Sequence, residues 1–270
     1  MFKKILIYLG YTLLLAALAA YFFFSTMLTK QEIAKIKCSR IEIAILDSSV
    51  NRFVSMAEIG DLIREEGITI KESKLKHINL HNLELMLNNR TAIKKSTVSY
   101  TGRGVLKVSI TQRRPVLRLE TANGGFYMDE TAYVFPLVRA FTSDVPVVTG
   151  EIPLTIIQGY RGRIRENKEW VKDILKIGLY IDGNEIWDAQ IEQIFVDEKG
   201  NLHMTPRVGQ HDIMFGRPDD IENKFEKLLS FYKNIIPNEG WDKYKIVDLQ
   251  YSNQIVCKKR ETKNEKNLDI

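Results

Sequence analysis

The sequence predicts an α+β protein: a single N-terminal transmembrane helix, a compact β-α-α-β-β module, and then a mixed α/β domain with an extended antiparallel sheet. Three observations predict it. Residues 5–24 form an uncharged apolar run. Strand and helix periodicities follow one another in the order strand, helix, helix, strand, strand over 41–111. Beyond Pro115 the texture changes to short strands and turns broken by amphipathic helices.

Composition sets the outer bounds. The 270 residues are 44% hydrophobic and 27% charged, which is globular composition with length for one large or two modest domains. The 39 Lys and Arg are scattered among 34 Asp and Glu, so a net charge of +5 indicates a solvated surface and no nucleic-acid footprint. Two cysteines, Cys38 and Cys257, are too few for a disulfide scaffold in a chain this long. Lys35, Ile36 and Lys37 precede Cys38 and deny it the small-residue context of a lipoprotein cleavage site.

The apolar run comes first in the chain. At ~1.5 Å per residue it matches the ~30 Å hydrocarbon layer, and Tyr8, Tyr11 and Tyr21 suit its interfacial ends. Lys3, Lys4 and Ala17-Leu18-Ala19 are also marks of a cleaved signal peptide. The run continues through Tyr21-Phe22-Phe23-Phe24, past the ~7–15 residues of a signal h-region, which favours an uncleaved anchor over 5–27. Lys3 and Lys4 place residues 1–4 in the cytoplasm and the rest outside, although Lys30, Lys35 and Lys37 blunt the asymmetry. Residues 28–40 read as a helical extension or stalk.

The module spans 41–114. Ile41-Glu42-Ile43-Ala44-Ile45 alternates as a half-buried strand. Ser55 and Glu58 form a capping box ahead of Ile59, Leu62 and Ile63, and Gly67 stops that helix. Asn79 caps a second helix over 80–87. Residues 96–100 and 105–111 are strands around Thr101-Gly102-Arg103-Gly104, a hairpin turn.

The second domain spans 115–258. Pro115 marks a boundary or bend. Strands are expected at 126–128, 133–135, 145–149, 190–196, 202–205, 213–215, 245–249 and 254–257, and helices at 169–181 and 221–235, with Pro237 ending the latter. The polar, charged tail over 259–270 has no apolar period and reads as disordered.

Catalytic signals are absent. His77 with His81, and His203 with His211, lack the Cys, Asp or Glu that would complete a ligand set. Asp129-Glu130 and Asp219-Asp220 suit turn and helix-start roles better than paired acids, because strand neighbours point to opposite faces. No nucleophile elbow, phosphate loop or zinc-protease motif occurs, and Asn89-Arg90-Thr91 is only a formal glycosylation sequon. No cofactor or metal is expected. A single-pass sensor or anti-sigma-like ectodomain is the alternative to a scaffold, disfavoured by the short cytoplasmic segment.

Several segments, in order, resemble the FtsQ/DivIB family of cell-division proteins. These are the anchor; the β-α-α-β-β module ending in Arg113-Arg114-Pro115-Val116; Gly125-Phe126-Tyr127-Met128-Asp129-Glu130 before Val134-Phe135-Pro136; and Val145-Pro146-Val147-Val148-Thr149-Gly150. Asp212-Ile213-Met214-Phe215-Gly216 before a helix carrying Lys224, and Val247-Asp248-Leu249-Gln250-Tyr251, continue the likeness. Gln112, Ala132 and Gln250 depart from it, standing where the family often has Glu, Gly and Arg.

The resemblance implies a POTRA-like module and a non-catalytic scaffold of the bacterial divisome in the inner membrane. It implies partners FtsB and FtsL, with other division proteins reaching the POTRA-like module. A terminal strand over 254–258 is by itself a sheet edge able to accept a partner strand. With the resemblance, the partner-binding role falls on Tyr251, Ser252, Asn253, Gln254, Ile255, Val256, Cys257 and Lys258, and on Lys224 and Lys227 as charge contacts.

Overall fold

The computed structural model describes residues 2–261, with residues 2–9 and 28–35 as backbone only. The chain divides into two compact units, Met1–Gln112 and Arg113–Ile270.

In the first unit, helix α1 (Phe2–Lys35) is continuous and about 50 Å long. Its window Gly10–Met27 is long and apolar enough to cross a membrane, and none of it is buried by protein. The helix runs on to Lys35, through the first part of the segment read as a helical extension or stalk. Residues 36–39 pack with the module: the Leu75 N–H donates to the Ile36 carbonyl (3.0 Å), the Cys38 N–H donates to the Ser73 carbonyl (2.8 Å), and Cys38 is fully buried.

Strand β1 (Arg40–Ile45) leads to α2 (Met56–Glu65), a 3-10 turn at Leu75–His77, α3 (Leu80–Asn88), β2 (Ile93–Tyr100) and β3 (Val105–Gln112). The sheet order is β1-β3-β2, with β1 parallel and β2 antiparallel to the central β3. Ser55 Oγ accepts the Glu58 N–H, and Asn79 Oδ1 accepts the Asn82 N–H, each at 3.1 Å, which satisfies helix-start donors that have no intrahelical partner. Ile59, Leu62, Ile63, Leu83 and Leu87 bury one face of the helices against Val98, Leu106, Val108 and Ile110. Gly104 turns the β2–β3 hairpin at φ 84°, where a Cβ would lie 2.5 Å from the Lys37 carbonyl.

The second unit contains β4 (Pro115–Thr121), β5 (Gly124–Asp129), β6 (Tyr133–Pro136), β7 (Val147–Gly150), β8 (Gly162–Arg163), α4 (Lys168–Asp182) and α5 (Glu185–Gln190). There follow β9 (Ile191–Val196), β10 (Leu202–Pro206), β11 (Asp212–Gly216), α6 (Ile221–Asn234), α7 (Ile236–Glu239), β12 (Tyr244–Asp248) and β13 (Val256–Lys259). They build a ten-stranded sheet in the order β13-β12-β11-β10-β9-β7-β4-β5-β6-β8. The sheet is mixed rather than antiparallel: β4 with β7, β7 with β9, and β11 with β12 are parallel. Two of these pairs are joined through helices, α4–α5 and α6–α7, as crossovers between parallel strands require.

Val171, Ile174, Ile177 and Ile181 of α4, with Ile221, Phe225, Leu228 and Phe231 of α6, pack with the sheet in one core. Pro115 opens β4, a position where a strand loses little by lacking an N–H. Pro237 lies in the first turn of α7, so it starts a helix as well as ending one. The β5–β6 turn is built on Asp129, fully buried, which accepts the N–H groups of Thr131 (2.8 Å) and Tyr133 (3.0 Å) and pairs with Arg113 (2.8 Å). The Arg113 guanidinium lies 3.4 Å over the Tyr133 ring. Of the expected tail, Lys259 completes β13, and residues 262–270 lie outside the described residues.

Candidate protein-binding edge

Among the described residues, β13 is an outer strand of the ten-stranded sheet and pairs only with β12: Val256 opposite Asp248, Cys257 opposite Val247, Lys258 opposite Ile246. Its alternation is set by the core. Ile255 and Cys257 pack on the apolar cluster, while Val256 and Lys258 face solvent. The Arg260 N–H donates to the Lys243 carbonyl (2.9 Å), on the β12 side. Because N–H directions alternate along a strand, those of Cys257 and Lys259 point to the open side.

Ahead of β13, Leu249 is fully buried, and its N–H donates to the Met214 carbonyl (3.0 Å). Gly216 (φ 75°) lies so close under Gln250 that a Cβ would approach Gln250 Cγ to 2.7 Å. The loop then projects Tyr251, Ser252, Asn253 and Gln254 into solvent, with Tyr251 50% exposed. The structure thus brings 251–258 together as one exposed loop and edge, but with different jobs within it. Ile255 precedes the strand and faces the core, so a substitution there perturbs packing before it perturbs the edge.

The two lysines are not free surface charges. Lys224 is buried: its ammonium donates to the Arg217 carbonyl (2.8 Å), pairs with Asp219, and sits 5.0 Å from the Phe215 ring centroid. It locks the β11–α6 turn and is withdrawn from the surface, which corrects its expected role as a charge contact. Lys227 is half-buried and donates to the carbonyls of Leu249 (3.0 Å) and Tyr251. Partial burial, followed by the neighbouring Lys224 ammonium, pushes the Lys227 pKa down, while Asp220 and Asp248 oppose the shift. Its place is at the loop's base, holding the backbone that carries Tyr251. Sequence reasoning missed this pairing because it joins residues more than twenty positions apart.

Both cysteines are free thiols. Burial pushes each pKa up, which disfavours the reactive thiolate. Two of the four histidines are engaged by the protein: His203 Nδ1 lies 3.1 Å from Asp212, and His211 Nε2 lies 2.9 Å from the Tyr232 hydroxyl, whereas His77 and His81 are exposed. No cluster able to hold a metal ion occurs among the described residues.

Residues 114–258 match the family described as FtsQ/DivIB, C-terminal related, and residues 36–111 match the POTRA-like domain. No curated protein matches the chain. The first match covers more than half of the 270 residues and coincides with the ten-stranded sheet, from the start of β4 to β13. With one N-terminal helix of membrane-spanning length ahead of both matched regions, the chain belongs to the FtsQ/DivIB family of single-pass, division-related scaffolds.

Proposed function

We propose that the chain is a non-enzymatic scaffold of the bacterial divisome, anchored by α1 in the inner membrane with its N-terminus in the cytoplasm and both folded units outside. At the division septum it binds FtsB and FtsL, and FtsB adds a strand to β13. The observation that carries this reading is the open edge of β13. Main-chain groups at an unpaired edge give an incoming strand its affinity, and the outward side chains Val256 and Lys258, with the Tyr251 loop, select which strand is accepted.

Lys259→Pro tests it. The substitution removes an outward N–H and leaves the Arg260 bond to Lys243 on the other side of the strand. Co-purification of FtsB with the full-length variant in detergent should fall about tenfold, the effect of losing ~1.4 kcal/mol, at an unchanged melting temperature. Undiminished capture by a folded variant would eliminate strand addition at this edge.

A further inference from the structure

The far end of β13 is tied to a loop that carries a buried histidine. Arg260 donates its backbone N–H to the Lys243 carbonyl (2.9 Å) and its guanidinium to the Gln210 carbonyl (2.6 Å), joining the strand's end to the approach to β12 and to the β10–β11 loop. Next to Gln210 is His211, only 2% exposed. Its ring lies nearly parallel to Trp241 (centroids 6.2 Å apart) and edge-on to Phe231 and Tyr232 of α6. Gly209 closes the cage, since a Cβ there would come within 2.8 Å of the imidazole. Nε2 meets the Tyr232 hydroxyl at 2.9 Å, whereas Nδ1 is buried with no hydrogen-bond partner among the described residues.

A neutral imidazole can leave Nδ1 bare, but an imidazolium carries an N–H on both nitrogens. Protonated His211 would therefore hold a charge and an unaccepted donor inside an aromatic cage. Burial pushes its pKa below the ordinary 6.5; Asp212, on β11, opposes that shift, and Arg260, at the end of β13, adds to it. From α6 the cage receives the Tyr232 hydroxyl, which burial keeps protonated, and from the segment ahead of β12 it receives the Trp241 ring. The weak wall is the loop, where Val208 and Gln210 are exposed while Phe231 belongs to the core.

We propose that His211 is an acid-sensitive latch: proton uptake opens the cage on its loop side, releases the Arg260 tie and loosens the β12–β13 edge. Weaker partner capture in acid follows, a consequence that rests on β13 being the capture edge. The opened state takes up its proton at the ordinary pKa and the closed cage only at lower pH. The latch is therefore fully stable above about pH 6.5 and weakens as the pH falls through that value.

The test uses the full-length chain in a neutral detergent. Amide exchange, corrected for its intrinsic pH dependence, is compared at about pH 7.5 and about pH 5.5. Protection over 241–260 should fall about fivefold more than over β4 and β5, within the tenfold limit set by one pH unit below the ordinary histidine value. His211→Phe keeps a ring beside Trp241 and takes up no proton, so the extra loss should disappear. Should that variant fail to fold by circular dichroism, the wild-type chain still decides: the loss should follow the titration of the His211 ring, read by NMR of histidine-labelled protein. Equal loss across the whole second unit, the same loss in a folded His211→Phe, or a His211 titration with no loss of protection overturns the proposal. FtsB capture should fall about fivefold between the same two conditions in the wild type and stay constant in His211→Phe. Absence of capture already at the higher pH counts against β13 as the capture edge, whereas the latch stands or falls on exchange.

Discussion

Ala132 turns the chain between β5 and β6 in the left-handed region, at φ 59°, with its N–H donating to the Asp129 carbonyl (3.0 Å). A Cβ in that conformation costs roughly 1–2 kcal/mol, and the buried Asp129 network imposes it. Glycine escapes the cost but has more freedom to lose on folding, roughly 0.4–1 kcal/mol. Ala132→Gly should therefore stabilise the second unit by about 0.5–1 kcal/mol and raise its thermal midpoint by about 2 °C. A lower midpoint in a calorimetric scan would show that the alanine methyl, which packs on the core edge, outweighs the relieved strain. Gln112, the second departure from the family pattern, has a chemical reason in this chain. Its amide oxygen accepts the Val54 N–H (3.0 Å) while its amide nitrogen donates to the Asn51 carbonyl (2.7 Å), and an ionised glutamate could not donate. At this scale the sequence was legible where chemistry is local. Ser55 and Asn79 could be read as caps because their partners lie three residues away. Lys224 was illegible, because on a helix it looks solvated and only the packing of β11 against α6 buries it.

The β12–β13 connection shows how an element can be held from outside its own sequence. Lys227, on α6, bridges the Leu249 and Tyr251 carbonyls, so the loop that precedes the open edge is tied to the helix beneath it. Lys227→Met keeps most of the stem and removes the ammonium, and should cost about 1 kcal/mol, less than a buried charged hydrogen bond because the site is half-exposed. Local opening should rise accordingly: amide exchange over 249–259 should accelerate about fivefold with the rest of the sheet unchanged. Exchange that stays at the wild-type rate would assign the order of the loop to Leu249 and Gly216 alone. The helices α4 and α6 and most strands were legible from periodicity, since burial of one face is written into their spacing. β4 was hidden by Pro115, which usually breaks a strand and here occupies its first position. β8 has two residues, too few for any period. The three parallel pairings were hidden for another reason: alternation reports which face is buried and carries no information about which strand lies alongside.

For the whole molecule, the anchor and the folded units separate cleanly in their physical requirements. Gly10–Met27 exposes its apolar side chains along its length, with none buried by protein, so lipid alone satisfies it. The folded part begins at Ile36, whose carbonyl accepts the Leu75 N–H, and α1 reaches it as an unbroken helix. If the proposed function holds, confinement to a membrane shared with single-pass partners raises effective concentration toward the millimolar range, so a short strand addition at β13 can suffice as an interface. On this reading the anchor contributes location, and its identity matters little. Replacing Gly10–Met27 with an unrelated apolar helix of the same eighteen residues preserves both the span and the helical phase entering the module. A fluorescent fusion of that chimera should form a midcell ring and restore division to depleted cells at close to the wild-type rate. A secreted form starting at Ile36 should retain FtsB capture in vitro and yet fail to restore division at normal expression, because dilution removes the concentration that the membrane supplies. A chimera that inserts at the normal level and still gives diffuse membrane fluorescence and filamentous cells would show that side chains of α1 make specific contacts within the bilayer.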